Sequence, residues 1–581
     1  MAGVRVSIVI ILLLFATSTA LAQPGVPSTY HAISNRNIYA KPAVPPLGPA
    51  GWRFTDPTFV SRMLRVTDST TRPGFPGRSY STPSAAHQLA WNATSDRFYI
   101  RSLDGWFIPY NFDPITMTAS RIQPTSTGNG GLLVSSQVEP QFSFLSRDII
   151  YGSTRDQSQV PDYPVVHQFN FATGQYTTLL NLRTVTDVAP DTYAGALSSS
   201  ATSPEKVSIM FGGPGQDSHF KVAVFQVASP AASVVILNTR DSQITVNGVT
   251  TPSATLGFML HHAWIDQAGQ QIVLYPVGAK PSAFVVWNLA THAFTYVTTL
   301  GSGHDALGFG WQVNQDSPEP YDGAQWQLRS LASPNSTSSL IAPPLSPRQP
   351  CIADHTSWNN AQPGARLPVL SSLYRYTADP CPLPPPWRTW DDEIVAIQTS
   401  SPGNATVWRF AHHRSRVAMD TTGMGSYFWY QPHAVVSPNG RWALFTSNWE
   451  KTLGLATNSE PEGLFRTDVF IVRLMAGAFT DTVLAGLPIR AIHFTELRDR
   501  IDLLRLALGL GTYAWNDPGL GPGFAVRAVH LLDLRIALTQ AYAAAGRQPP
   551  NFSEVVVGGA TMIRGSQIEE LRTAVINLEG G

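Results

Sequence analysis

The chain reads as mainly β: a seven-bladed β-propeller followed by a small all-α helical-repeat domain. Three observations carry that expectation. First, four stretches, His87 to Tyr99, Glu139 to Tyr151, His262 to Leu274 and His433 to Phe445, each span twelve positions from an opening polar residue to an apolar strand, with His355 opening a less regular fifth copy. Second, 46 Pro, 45 Gly and 10% aromatic residues suit many short strands joined by turns. Third, the last hundred residues switch to a helical period and repeat every 37 positions.

From the N-terminus, Arg5, the apolar run Val6 to Phe15 and Ala20-Leu21-Ala22 form an export signal over residues 1–22. The run is too short to span a bilayer. The mature chain is therefore expected to be secreted or periplasmic, with no membrane insertion. Residues 23–86 begin Pro-rich and contain one strand candidate, Arg62 to Asp68. A propeller ties its last blade to its first to avoid open edges, so this strand is expected to complete a blade at the closure.

Residues 87–475 repeat one pattern: strand, Asp/Asn/Gly turn, apolar strand, loop, strand. "NFATGQY" and "NLATHAF" are hairpins of matching design. Weaker units lie near Val207 to Leu237, Trp326 to Leu340 and Ile394 to Phe410. Seven units of about 55 residues result, near the upper end for propeller blades. In a toroidal fold, equal register means equal height around the axis, so the opening residues are expected to face one channel.

Residues 476–581 hold three copies, Ile489 to Arg498, Val526 to Arg535 and Ile563 to Arg572. In the first, Phe494, Leu497, Ile501, Leu504 and Leu508 step by three and four, giving one apolar stripe per helix. Three stripes can bury one another as a bundle. His493 and His530 recur at equivalent places, with Gln567 in the third copy. Their spacing is not that of a two-His ligand pair, so they are read as first-turn capping or packing residues.

Charge excludes some functions. Basic and acidic residues number 39 each, and only 13% of residues are charged, about half the usual share. No basic cluster offers a footprint for nucleic acid or an anionic membrane. Cys351 and Cys381 are the only cysteines, and in an exported chain a disulfide between them is the economical reading. It would staple a Pro-rich excursion.

The stretch Gln431 to Trp449, "QPHAVVSPNGRWALFTSNW", followed by Asp468 to Leu474, resembles the closing blade of the oligogalacturonate-lyase-like propellers. The resemblance implies a channel-lining set of His and Gln side chains holding a divalent metal, and cleavage of uronate chains by β-elimination. His433 matches the second histidine of that family's His-Pro-His run, and Gln431 replaces the first. The metal ligands implied here are His262, His355 and His433, with manganese or calcium as the metal. His304, His412 or His413 would act as base, and Arg414 or Arg416 would hold the carboxylate. Without chemistry, Glu139, Gln431 and Trp429 would contact a ligand, with flat aromatic faces stacking on sugar rings.

The leading expectation is recognition of a saccharide or other extracellular ligand at the channel mouth. A metal-dependent uronate lyase is the alternative, and structural or adhesive display is a third reading. In the last, the helical domain would attach the propeller to a cell-surface partner.

Overall fold

The computed structural model describes residues 26–579 except 31, 60, 115, 124–131, 133, 135–137, 154–164, 190–191, 214–217, 278–283, 299–304, 316–325, 342–351, 378–386, 419–427, 458–464, 475–478, 480, 482, 509, 522 and 559–560. The export segment, His304, Cys351 and Cys381 thus lie outside the described residues.

Seven antiparallel sheets follow one another along the chain and form a seven-bladed propeller. The first runs from Tyr80–Ser81 to Thr118–Arg121, the second from Gln141–Phe142 to Gln175–Asn181 and the third from Ala194–Ser199 to Val249–Pro252. The fourth spans Leu260–Ile265 to Phe294–Val297, the fifth Ala306–Leu307 to Thr337–Ser339 and the sixth Ile352–Ser357 to Val407–His412. The third carries an extra outer hairpin, Gln243–Val246 with Val249–Pro252. Alternating side chains send each strand's apolar residues into the two flanking inter-blade cores.

The seventh blade joins both ends of the propeller. Val435–Val436, Trp442–Ser447 and Asp468–Arg473 are its inner strands, and Arg62–Arg65 pairs with the last of them, Leu64 opposite Ile471. Met63 and Leu64 are both fully buried. They point to opposite faces, Met63 into the core shared with the sixth blade and Leu64 into that shared with the first. Arg65 and Arg466 then pair with buried Asp468.

The Pro-rich segment before this strand is a strap across the outside of the sixth and seventh blades. Tyr30 wedges edge-on against Trp408 and Phe410, and its hydroxyl donates to the Gly440 carbonyl at 2.8 Å. Gly440 has φ +67°, and a Cβ there would meet Val26 and Pro27 at 3.0 and 3.1 Å. The Ser437–Gly440 turn therefore seats the strap. Beneath the strap Arg409 bonds Glu393 and donates to the Asn35 and Asn37 carbonyls.

The first blade departs from the regular inner strand. Between Ser81 and Asn92 the backbone leaves the sheet, apart from a bridge of Trp91 to Phe98, and crosses the axis. Thr82 donates to the His433 carbonyl of the seventh blade. His87 Nδ1 donates to the Asp305 carbonyl beside the fifth blade, at 2.8 Å, and its ring lies 4.0 Å from Trp264 of the fourth. Gln88 donates its amide to the carbonyls of Glu139 and Pro140 before the second blade and of Leu197 in the third, and its own carbonyl accepts from Asn359 of the sixth. One octapeptide thus touches all six other blades.

After residue 478 the chain forms helices Ala491–Ala507, Ala528–Ala544 and Gly565–Glu579. The predicted stripes meet: Phe494, Leu497, Ile501, Leu531, Leu534, Leu538, Ile568, Leu571 and Val575 are fully buried in one core. The three repeats also close cyclically. Arg498 donates to the Asp517 carbonyl before the second helix, Arg535 to the Glu554 carbonyl before the third, and Arg572 returns to the Asp481 carbonyl before the first. The same arginines cover Trp515, Phe552 and Phe479 in turn. No helix among the described residues is long and apolar enough to cross a membrane.

Because the two N–H groups of the Gln88 amide are shared among the Glu139, Pro140 and Leu197 carbonyls, Gln88→Ala is expected to lower unfolding stability by about 1–3 kcal/mol. A denaturant melt would read this, and an unchanged midpoint would show that the axial crossing is not held by that amide.

Candidate functional site

Strand Ile352–Ser357 presents His355 to the axis, and the loop leading into the seventh blade brings Gln431 and His433 against it. His355 Nε2 donates to Gln431 Oε1 at 2.6 Å, and the two imidazoles lie 4.1 Å apart. Tyr374, from the neighbouring strand Val369–Thr377, stacks on His355 at 5.6 Å. His433 is held at φ 39°, in the left-handed region that costs a non-glycine residue energy, and its Nδ1 donates to the Gln431 carbonyl at 3.0 Å. That bond fixes the tautomer, so Nε2 bears the lone pair of the neutral ring.

The cluster continues around the ring. Phe428 lies 4.9 Å from His433 and 5.0 Å from Trp429. The Arg101 guanidinium sits 4.4 Å over the Trp429 ring and pairs with Glu139 at 3.0 Å. Glu139 also accepts from the Ser84 amide at 2.8 Å, next to the axial crossing. His355, Gln431, His433, Trp429 and Glu139 therefore belong to one connected arc over the sixth, seventh, first and second blades. Arg101, Phe428 and Tyr374 complete it. Of these, Arg101 had a readable signal: it stands two residues beyond Tyr99 on one strand and so shares its face.

His262 stands elsewhere. It is stacked on Tyr275 at 4.1 Å, its ring is 6.3 Å from His87, and its Nε2 is 3.9 Å from Asp305 Oδ1. Gln312 donates to both the Asp305 carboxylate and the Tyr275 hydroxyl. His262 thus meets His87, Tyr275 and Asp305, while His355 and His433 meet each other. Among the described residues no group of three or more His, Cys, Asp or Glu side chains is arranged to hold a metal ion. His433 has the tautomer a ligand needs, but His355 Nε2 carries a proton committed to Gln431. The trio does not form a coordination sphere.

His413 and Arg414 lie under the strap. His413 Nε2 donates to the Leu373 carbonyl and Nδ1 accepts from the Ser415 amide, each at 2.9 Å, so both ring nitrogens serve the main chain. Arg414 donates to the Pro42 carbonyl and to Glu450. His412 donates to the Tyr39 carbonyl at 2.9 Å.

Neither a protein-family profile nor a curated protein matches the chain. Among solved structures it is similar to oligogalacturonate lyase from Vibrio parahaemolyticus, at 10% identity and a TM-score of 0.43 over 73% of this chain and 96% of that one. It is also similar to U3-55K, at 10% identity and 0.33 over 68% and 98%, and to TolB from Acinetobacter baumannii, at 13% and 0.27 over 48% and 60%.

The buried groups under the strap set a pH dependence. Burial holds His412 down at about 3 and His413 at about 4. Both fold neutral and charge more readily when unfolded, so their contribution is intact above about pH 6.5 and is lost as pH falls toward 4 and below. Burial, with repulsion from Asp392 on the first, pushes Asp391 and Glu393 up to about 7. Asp391 folds protonated, so its contribution falls as pH rises from about 4 to 7, whereas both Glu393 oxygens accept from Arg409, which opposes the effect of burial there. Asp392 is buried too, yet Lys41 and His413 hold it below the usual range, which adds to acid loss. The two trends oppose each other between about pH 4 and 6.5 and leave a steep loss below. Melting temperature against pH should show this shape, and His412→Gln should make the acid limb shallower.

Proposed function

We propose that the protein binds a saccharide at the arc of His355, Gln431, His433, Trp429, Arg101 and Glu139, and that it does so outside the cytoplasm. The observation that carries the reading is the unbroken run of contacts joining these residues across four blades. Aromatic faces offer apolar area at little entropic cost, and hydrogen-bonding groups held in one tautomer or one ion pair orient a polyhydroxylated ligand. Arg101 and Trp429 are only half-buried, so both can meet a ligand. The N-terminal export pattern supports the location.

A second reading, a uronate lyase, draws on the same arc. β-Elimination needs a base beside the carbon that loses its proton and a positive group that neutralises the adjacent carboxylate. His433 Nε2 bears a lone pair, and Arg101 is a cation within the arc. The split of the histidines gives no support to routing that chemistry through a metal.

Calorimetric titration of the protein with neutral and acidic oligosaccharides tests the first reading. Binding should persist after chelation and weaken about tenfold in Trp429→Ala, the loss of one aromatic stacking contact. Absence of binding across the panel would leave the propeller as a display scaffold. An unsaturated product from an acidic oligosaccharide, lost in His433→Ala, would favour the lyase.

A further inference from the structure

The Pro-rich strap changes period along its length, and the change marks a recognition groove. Upstream, Arg409 takes the carbonyls of Asn35 and Asn37, two residues apart, as in an extended strand. From Tyr39 the interval becomes three. His412 donates to the Tyr39 carbonyl at 2.9 Å, Arg414 to that of Pro42 at 2.9 Å, Trp449 Nε1 to that of Pro45 at 3.0 Å and Arg65 to that of Gly48 at 2.6 Å. The side chains keep the same period: Lys41, Val44 and Leu47 are half-buried, whereas Ala43, Pro46 and Pro49 are exposed. Three residues per turn is the repeat of the polyproline II helix, which the sequence "KPAVPPLGP" favours.

The surface beneath is shaped for such a helix. Lys41 Nζ enters an acidic pocket, 2.9 Å from Asp392 and 3.9 Å from Glu450, and lies 5.6 Å over the Trp387 ring. Val44 and Leu47 pack against the core between the sixth and seventh blades. Asp392, Arg414, Trp449 and Glu450, four of the residues that engage the segment, have φ of 56°, 56°, 47° and 57°. Left-handed backbone at non-glycine residues costs energy and gathers at ligand clamps. An acidic pocket for a cation, an indole N–H on a carbonyl and apolar seats one turn apart are the means by which aromatic-lined grooves read Pro-rich segments.

We infer that this groove is a binding site for a Pro-rich segment in the polyproline II conformation with a cation at its first inward position, and that residues 39–48 fill it as a ligand carried in the same chain. The site lies on the outside of the sixth and seventh blades and takes no residue of the His355 arc. Its four hydrogen bonds run from side chains of the groove to main-chain carbonyls, which the same segment of a second copy offers equally. That segment is the partner the groove fits. The tether keeps the resident segment at an effective concentration of about millimolar, so a segment in trans enters only when the resident one is released.

The test frees the groove and offers the segment as a peptide. In the full chain, Lys41→Glu/Val44→Asp/Leu47→Asp should release the resident segment. A fluorescently labelled peptide of residues 39–49 should then bind this variant with saturation, and bind wild type at least about a hundredfold more weakly because its groove is filled. The same peptide carrying Lys41→Glu, which sets a carboxylate against Asp392 and Glu450, should lose at least about tenfold in affinity for the variant. No binding to the variant, equal binding to variant and wild type, or equal binding of the two peptides overturns the inference. Should the triple variant fail to fold, wild type cut after folding at a protease site inserted between Pro49 and Ala50 decides alone. A labelled peptide of residues 26–49 should replace the cut segment, and its Lys41→Glu form should not; uptake of both, or of neither, is equally fatal.

Discussion

The crossing of the axis by Thr82 to Leu89 is the constraint on which the ring depends. A propeller core is a set of sheet-to-sheet contacts between neighbours, and none of them reaches across the centre. Here one segment of the first blade supplies those transverse bonds, through His87 to the fourth and fifth blades and through Gln88 to the second, third and sixth. The cost is an inner strand reduced to Tyr80–Ser81 and the Trp91 bridge, because a backbone that bonds across the axis cannot also pair along its own sheet. The crossing also meets His262 and the Asp305 carbonyl through His87.

Both modules solve the problem of ends in the same way. The propeller recruits Arg62–Arg65 from ahead of the first blade into the last, so Met63 and Leu64 fill two cores that would otherwise open to water. The helical module returns Arg572 of the last repeat to the Asp481 carbonyl and the Phe479 ring of the first. A repeat array left open exposes one unmatched face at each end, and cyclic closure removes both. The N-terminal strap adds a further lock, with Tyr30 in the core and the buried Arg409 satisfying main-chain carbonyls that have no sheet partner.

Much of the site was legible and some was not. The opening polar residue of a strand pattern found His355, His433 and Glu139, and the loop "WYQPH" found Trp429 and Gln431, because a residue just before an inner strand must lie near the axis. The expectation that equal spacing gives equal surroundings did not extend to His262. Its strand is regular, yet the side chain packs on Tyr275 beside Asp305 and His87. His413 and Arg414 looked reactive as a base and a carboxylate holder, but the Leu373 carbonyl of the sixth blade engages His413, and the Pro42 carbonyl of the strap and Glu450 beside the seventh blade engage Arg414.

The sequence alone determined the architecture: strand and turn periodicity set the number of blades, the 37-residue repeat set three amphipathic helices, and the isolated apolar strand near Met63 set the closure. These are local patterns whose only solution is burial against a copy of themselves. The tertiary structure alone decided which polar residues meet. Hydrogen bonds such as His87 to Asp305, Arg101 to Glu139 and Arg572 to Asp481 join residues far apart in the chain, and their partners follow from how the backbone closes rather than from any periodicity. The histidine tautomers were decided at that level as well, since each is set by the carbonyl, amide or carboxylate that folding places beside the ring.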